Sequence, residues 1–477
     1  MSQQRGASRP NIVVMMTDDQ GHWAMPHRMP ELVMPNLEEL LGDALELEQF
    51  FCASPVCSPA RASLLTGRTP SAHGVHDWLA NGKNPRGHED HPLEAQPSTP
   101  EVLAREGYQC ALSGKWHIGH SREKAPGFEY WYAHREGGGP YFDAPVWAED
   151  GSEAQEPRYL THAITEQALD FLRERDADRP FYLQVNYTAP HTPWEPEHHP
   201  AKYRDLYRGC DFPSVPREEE HPWSKPRHLD FEESFIDPVP SLVGYCAALS
   251  AVDEGLGQIR QELERQGVWD ETVFVYMADN GFACGHHGIW GKGNGSYPLN
   301  FWDSSVRVPF VIRVPGGARG VSSALVSATS LHPTLCELAG TVADPDRYAA
   351  GRSLRDLVSG RAQPTDEMVV VHSEYGGGRM ITDGSWKLVH RYRGPGELYN
   401  LEEDPGEKEN LYDEPAYAQT RQRLLDGLEE WFSAHERGEM SAFKRPVSGF
   451  GQVYAVSRGY SDEETYRPLR EEYRHLQ

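Results

Sequence analysis

The sequence predicts an α/β fold: a large mixed, mostly parallel sheet sandwiched by helices, with a small C-terminal α+β subdomain containing an antiparallel sheet. Three observations lead there. Short β-branched apolar runs alternate with helical patterns over the first 350 or so residues. Polar, chemistry-bearing residues follow those runs directly. After about Thr365 the pattern changes to closely spaced short strands and one helix.

Five runs read as buried strands: Ile12–Met16, Cys110–Ser113, Phe181–Tyr187, Val273–Met277 and Val308–Val314. Continuous apolar runs suit strands covered on both faces. Helices are expected over Leu37–Leu47, from Thr99 (as N-cap, with Pro100 at the first position), over Thr161–Glu174 and over Ser241–Gln266. Pro193–Pro240 is rich in Pro, His, Glu and Asp without a clear period, and reads as a long surface insertion. Beyond Thr365, Met368–Glu374 and Met380–His390 read as antiparallel strands with Asp383-Gly384 as a hairpin turn, Gly396–Leu401 as a third strand, and Pro415–Arg437 as a helix. The expected division is 9–365, 366–440 and a basic, aromatic tail over 441–477.

Length and charge bound the function. The chain has 477 residues, 72 acidic against 46 basic, and a net charge of −26. That acidity argues against nucleic acid as a partner, which needs a basic face. It leaves a small anion open, because such a substrate feels the local field. No apolar run approaches the ~20 residues of a membrane span. The run after Arg9 is shorter than the ~7–15 residues of an export segment, which predicts a cytoplasmic location. The seven cysteines are dispersed and odd in number, which fits neither a disulfide scaffold nor a zinc ribbon. A homo-oligomer stays open on the sequence alone.

The strand ends carry the chemistry. The first strand ends in Asp18-Asp19 and the fourth in Asp279-Asn280-Gly281. The second runs into Lys115-Trp116-His117 and the third into Pro190-His191-Thr192-Pro193. Ligands of open parallel sheets bind outside the carboxyl ends of strands, so these groups are expected at one edge. Three carboxylates and an amide oxygen form a hard set suited to Ca²⁺ or Mg²⁺; the competing reading is a pair of strand-terminating turns. Cys57-Ser58-Pro59-Ala60-Arg61 opens a helix-like stretch. That places Cys57 at a helix N-terminus with Arg61 one turn on, an electropositive setting for a nucleophile. The competing reading is a buried structural cysteine.

Cys57-Ser58-Pro59-Ala60-Arg61 with Leu64-Leu65-Thr66-Gly67-Arg68 resembles the signature of the formylglycine-dependent (type I) sulfatases, of the alkaline-phosphatase-like superfamily. Asn11-Ile12-Val13 through Thr17-Asp18-Asp19-Gln20 is similar to that family's opening strand. Gly114-Lys115-Trp116-His117-Ile118-Gly119, Pro190-His191, Asp279-Asn280-Gly281 and His287-Gly288 before Lys292 follow in the family's order. Lys387-Leu388, Glu397-Leu398-Tyr399-Asn400-Leu401 and Asp404-Pro405-Gly406-Glu407 are similar to its terminal subdomain, so the match spans 9–435.

The resemblance implies a sulfatase in which a maturation enzyme converts Cys57 to formylglycine. One oxygen of the hydrated aldehyde would attack sulfur, and the other would lose its proton as the aldehyde re-forms and sulfate departs. It implies a metal, usually Ca²⁺ and otherwise Mg²⁺, held by Asp18, Asp19, Asp279, Asn280 and the modified Cys57. Arg61 would hold the nucleophile and the metal carboxylates. Lys115 and Lys292 would neutralise sulfate oxygens, His117 would take a proton, and His191 would face the leaving oxygen.

Two departures stand out: Ala60 replaces the family's usual Ser, and the stretch after Lys292 is long, with Asp303 expected in an acidic role. For substrate binding the sequence offers Asp77, Trp78, Trp194, His287 and Asn294, beside His73, His76 and His286. Aromatic faces with polar partners suit a sugar ring, so the expected substrate is a sulfated carbohydrate attacked at an exposed end, or a small sulfate ester. The alternatives are a phosphonate monoester or phosphodiester hydrolase of the same superfamily, and a non-catalytic binder of sulfated glycans.

Overall fold

The computed structural model describes residues 9–79, 92–94, 96–148, 150–224, 231–296, 298–361, 368–373, 377–391 and 394–441. The expected tail beyond Ser441 and the strand end at Glu374 lie outside them. In chain order the strands are β1 (Asn11–Thr17), β2 (Leu45–Phe51), β3 (Gln109–Lys115), β4 (Phe128–His134), β5 (Ala144–Trp147), β6 (Glu153–Glu156), β7 (Phe181–Asn186) and β8 (Thr272–Ala278). The rest are β9 (Ala283–Cys284), β10 (Trp290–Gly291), β11 (Phe310–Arg313), β12 (Gly320–Ser327), β13 (Val369–Ser373), β14 (Gly378–Thr382), β15 (Trp386–Arg391) and β16 (Glu397–Asn400). The longer helices are α1 (Pro35–Leu41), α2 (Cys57–Thr66), α3 (Thr99–Arg105), α4 (Leu160–Glu174), α5 (Val239–Arg265), α6 (Leu331–Leu338) and α7 (Ala418–His435).

Ten strands form one sheet in the order β12-β2-β11-β8-β1-β7-β3-β4-β5-β6. Its centre, β8-β1-β7-β3-β4, is parallel; β11 and β5 run antiparallel to it, and β6 pairs antiparallel with β5. Along β1, Val13 and Met15 join the core under α4 and α5, while Ile12, Val14 and Met16 join the core under α2, α3 and α6. That two-sided burial explains the unbroken apolar runs. A second sheet, β13-β14-β15-β16, is wholly antiparallel and packs on α7. The mixed sheet and small terminal sheet are the architecture the sequence predicts.

Several local expectations change. The helix expected to Leu47 stops at Leu41, where Gly42 caps it, and Leu45–Phe51 is strand β2. The breaker pair Gly42-Asp43 separates the two, and Leu45 and Leu47 lie buried either side of Glu46, which pairs with Arg28. Helix α3 is capped by Ser98 rather than Thr99: Glu101 accepts hydrogen bonds from the Ser98 backbone N–H (3.0 Å) and hydroxyl (2.7 Å). The 193–240 segment is more than a surface loop. Trp194, Tyr203, Tyr207, Phe212 and Phe231 from it enter the core against α5.

The two sheets are joined by a buried charge cluster. Lys387 of β15 donates to the Phe301 carbonyl (3.2 Å), to Asp303 and to Glu407 (2.5 Å). Asp303 also pairs with Arg307 at 3.3 Å. Asp303 is thus an acidic residue that braces the terminal sheet. Lys387→Met leaves two carboxylates without their ammonium, and removing one partner of a buried pair costs about 3–5 kcal/mol. A loss of that size in unfolding free energy, read as a lowered urea midpoint and milder for Lys387→Arg, is the expected result.

Candidate active site

The carboxyl ends of β1, β3, β7 and β8 meet the start of α2 at one edge of the sheet. Strands β1 and β8 pair in register, Thr17 beside Ala278, so Asp18-Asp19 and Asp279-Asn280 leave the sheet side by side. The Asp19 N–H donates to Asp279 at 3.3 Å, and the Asn280 side-chain N–H to Asp19 at 2.7 Å. Asp19 takes a left-handed conformation, φ 66°, which turns the chain sharply after the strand.

Helix α2 begins at Cys57 after the extended Val56, with no side-chain cap. The Cys57 sulfur lies 3.3 Å from Asp18 and accepts a hydrogen bond from the Lys292 ammonium at 2.7 Å. Lys292 also donates to Asp19 at 2.5 Å. Arg61 Nε donates to Asp279 at 2.7 Å and its Nη1 to the Lys115 carbonyl at 3.0 Å. Lys115 pairs with Asp18 in full burial. Asp18, Cys57 and Asp279 each place a ligand atom within 4.8 Å of the others.

Burial and charge oppose one another throughout. Burial would raise the Asp18 pKa, but Lys115, His191, Lys292 and Arg61 hold it well below the usual range. Burial and neighbouring Asp18 push Asp279 up to about 6 against the pull of Arg61. Burial would lower Lys292, and Asp19 and Cys57 hold it well above its ordinary value. Burial, aided by Asp18, pushes the Cys57 thiol up against Lys115 and Lys292. Burial, then Lys115 and Arg61, keep His117 well below the usual histidine range. Burial also lowers His191, with Asp19 and Asp18 opposing; its Nε2 lies 3.8 Å from Asp19.

Not all the expected substrate residues serve one wall. Leu79 N–H donates to Ser58 Oγ at 3.0 Å, which brings the segment bearing Asp77 and Trp78 against the start of α2. Asp77 is buried and accepts from the Trp78 N–H at 2.8 Å. Asn294 is half-buried in the turn just after Lys292. Trp194 is a correction: it is 5% exposed, donates to the Pro190 carbonyl and packs on Phe231 and Phe282 within the core. His287 stacks on Trp302 at 4.3 Å. His73 is buried with its Nε2 3.0 Å from Ser63 Oγ, and His286 packs on Trp23. His76 is buried, with its ring on the Met440 carbonyl.

Asn300 and Asn186 were not legible as site residues. Asn300 donates to the Lys292 carbonyl and Asn186 to the Lys115 carbonyl, each at 3.0 Å. Both act on the backbone of a lysine, for which sequence has no signature.

Residues 10–341 match the family model described as Sulfatase. The chain belongs to the sulfatase family. Its activity is accordingly that of a sulfuric ester hydrolase. Residues 287–433 also match the model described as N-sulphoglucosamine sulphohydrolase, C-terminal. This sulfatase is 27% identical to an N-acetylglucosamine-6-O-sulfatase of Bacteroides thetaiotaomicron over 90% of this chain and 87% of that one. It is 28% identical to a choline-sulfatase of Rhizobium meliloti, over 92% and 89%. A structure solved in complex with its substrate D-glucosamine-2-N,6-O-disulfate superposes with a TM-score of 0.73 at 25% identity, covering 90% of this chain and 98% of the other.

Proposed function

We propose that this sulfatase removes sulfate from a carbohydrate, at an exposed chain end or on a small sugar, using a formylglycine made from Cys57 and a divalent cation. The observation that carries this reading is the convergence of Cys57, two ammonium groups and three carboxylates at one buried point. The sugar is supported by the likeness to the N-acetylglucosamine-6-O-sulfatase and to the glucosamine disulfate complex. Trp194 no longer supports it.

The donor set suits a hard cation, Ca²⁺ first and Mg²⁺ second: carboxylate oxygens of Asp18, Asp19 and Asp279 with the Asn280 amide oxygen. Asn280 Oδ1 is buried and accepts no hydrogen bond, as expected of an atom kept for a metal. Such a cation supplies positive charge to sulfate oxygens, and hydrated formylglycine supplies the attacking oxygen.

The chain's own groups do the rest. Lys115 and Lys292 are fixed in low-dielectric surroundings, where their charge acts strongly on developing negative charge. Arg61 holds Asp279 in place. His191 delivers a proton to the bridging oxygen of the departing alcohol, and His117 takes one from the nucleophile's second hydroxyl. The 193–240 segment would wall the pocket; it already contacts the Lys292 loop, with His221 N–H donating to the Gly288 carbonyl at 3.0 Å.

Free sulfate released from sulfated mono- and oligosaccharides, set against choline sulfate, aryl sulfates and phenylphosphonate esters, tests the reading. A kcat/KM highest on a sulfated sugar is expected. Preference for choline sulfate or the phosphonate ester would overturn the substrate, and an intact-mass spectrum with Cys57 unmodified in active enzyme would overturn the chemistry.

A further inference from the structure

The loop between β4 and β5 touches both site histidines. It is anchored at its start, where the Arg135 N–H donates to the Pro145 carbonyl at 2.9 Å. It is anchored again at Tyr141, a fully buried residue whose carbonyl accepts from Leu160 N–H and whose hydroxyl donates to the His191 carbonyl, each at 2.7 Å. Between these points run Gly137, Gly138 and Gly139.

A Cβ on Gly137 would lie 2.2 Å from His117 Nε2, and one on Gly138 would lie 2.7 Å from His191 Cε1. Neither glycine is among the positive-φ positions, so the backbone itself would accept alanine at both. The three atoms nearest such a Cβ belong to the His117 ring at Gly137 and to the His191 ring at Gly138. Two consecutive residues therefore set the positions of two rings that come from different strand ends. His117 has φ 57°, uncommon for a non-glycine residue and held only by its surroundings.

We propose that Gly137 and Gly138 are positioning residues, the backbone surface against which the His117 and His191 rings are seated, with Tyr141 fixing the His191 main chain. This rests on the reading above, in which His117 accepts a proton and His191 donates one. A misplacement of about 1 Å at a reacting group costs about 10²-fold in rate.

The test is Gly137→Ala and Gly138→Ala, each assayed on an aryl sulfate and on a sulfated sugar, beside His117→Ala and His191→Ala. Gly137→Ala should lower kcat about 10²-fold on both substrates, because proton removal from the nucleophile does not depend on the alcohol. Gly138→Ala should lower kcat by a similar factor on the sugar and spare the aryl ester, whose leaving group needs no acid. KM and the thermal midpoint should stay near wild type, since each clash falls on the far end of a side chain and not on backbone. Tyr141→Phe should repeat the leaving-group pattern of Gly138→Ala, more weakly, and serves if that variant folds poorly. Unchanged kcat in both glycine variants, with the histidine variants impaired, overturns the positioning role and leaves the proposed function standing. Full turnover of the sugar in the histidine variants overturns both the positioning role and the proton transfers assigned to His117 and His191.

Discussion

Cys57→Ala is expected to abolish sulfate release, by about 10⁴–10⁶-fold as for other enzymes stripped of a nucleophile, while the fold persists. The sulfur makes two close contacts, to Asp18 and to Lys292, and Lys292 keeps its Asp19 partner when the sulfur is gone. Nothing in the helix depends on the thiol, since α2 has no side-chain cap. A thermal midpoint near wild type with turnover at background is the expected pair of results. Residual turnover near wild type would exclude any covalent role for this position.

Asp279→Asn should also be damaging, through charge alone. The amide keeps the shape of the side chain, but the carboxylate is what Arg61 binds and what a hard cation would require. We expect bound calcium, measured by elemental analysis after dialysis, to fall, and kcat to drop at least about 10²-fold with partial recovery at high Ca²⁺. Chelation of the wild-type enzyme should mimic the loss, and added Ca²⁺ should reverse it. Wild-type activity after exhaustive chelation would refute the cation's part in the reaction.

Much of this site was legible because the sheet is parallel and buried. Apolar runs marked β1, β3, β7 and β8, and the first polar residues after each run had to lie at one edge. Edge and half-exposed strands such as β5, β6 and β12 lack that signal: Glu153–Glu156 is mostly polar. Strand β2 was hidden because Leu45–Phe51 continues a leucine-rich helix in composition and differs only in period. Trp194 shows another limit, since an indole in a core and one at a pocket rim read alike in sequence. Gly137-Gly138 reads as a turn, and only the approach of the two rings gives it meaning.

The burial of Cys57 has a consequence in time. Its partner Lys292 is 235 residues further along the chain, and the Arg61–Asp279 pair spans 218. At a synthesis rate of ~5–20 residues per second, roughly 10–50 s pass between the appearance of the cysteine and that of the lysine that helps enclose it. During that interval the sulfur has none of the β8 or Lys292 groups that later surround it. Under the proposed chemistry, a converting enzyme meets its easiest substrate on the growing chain.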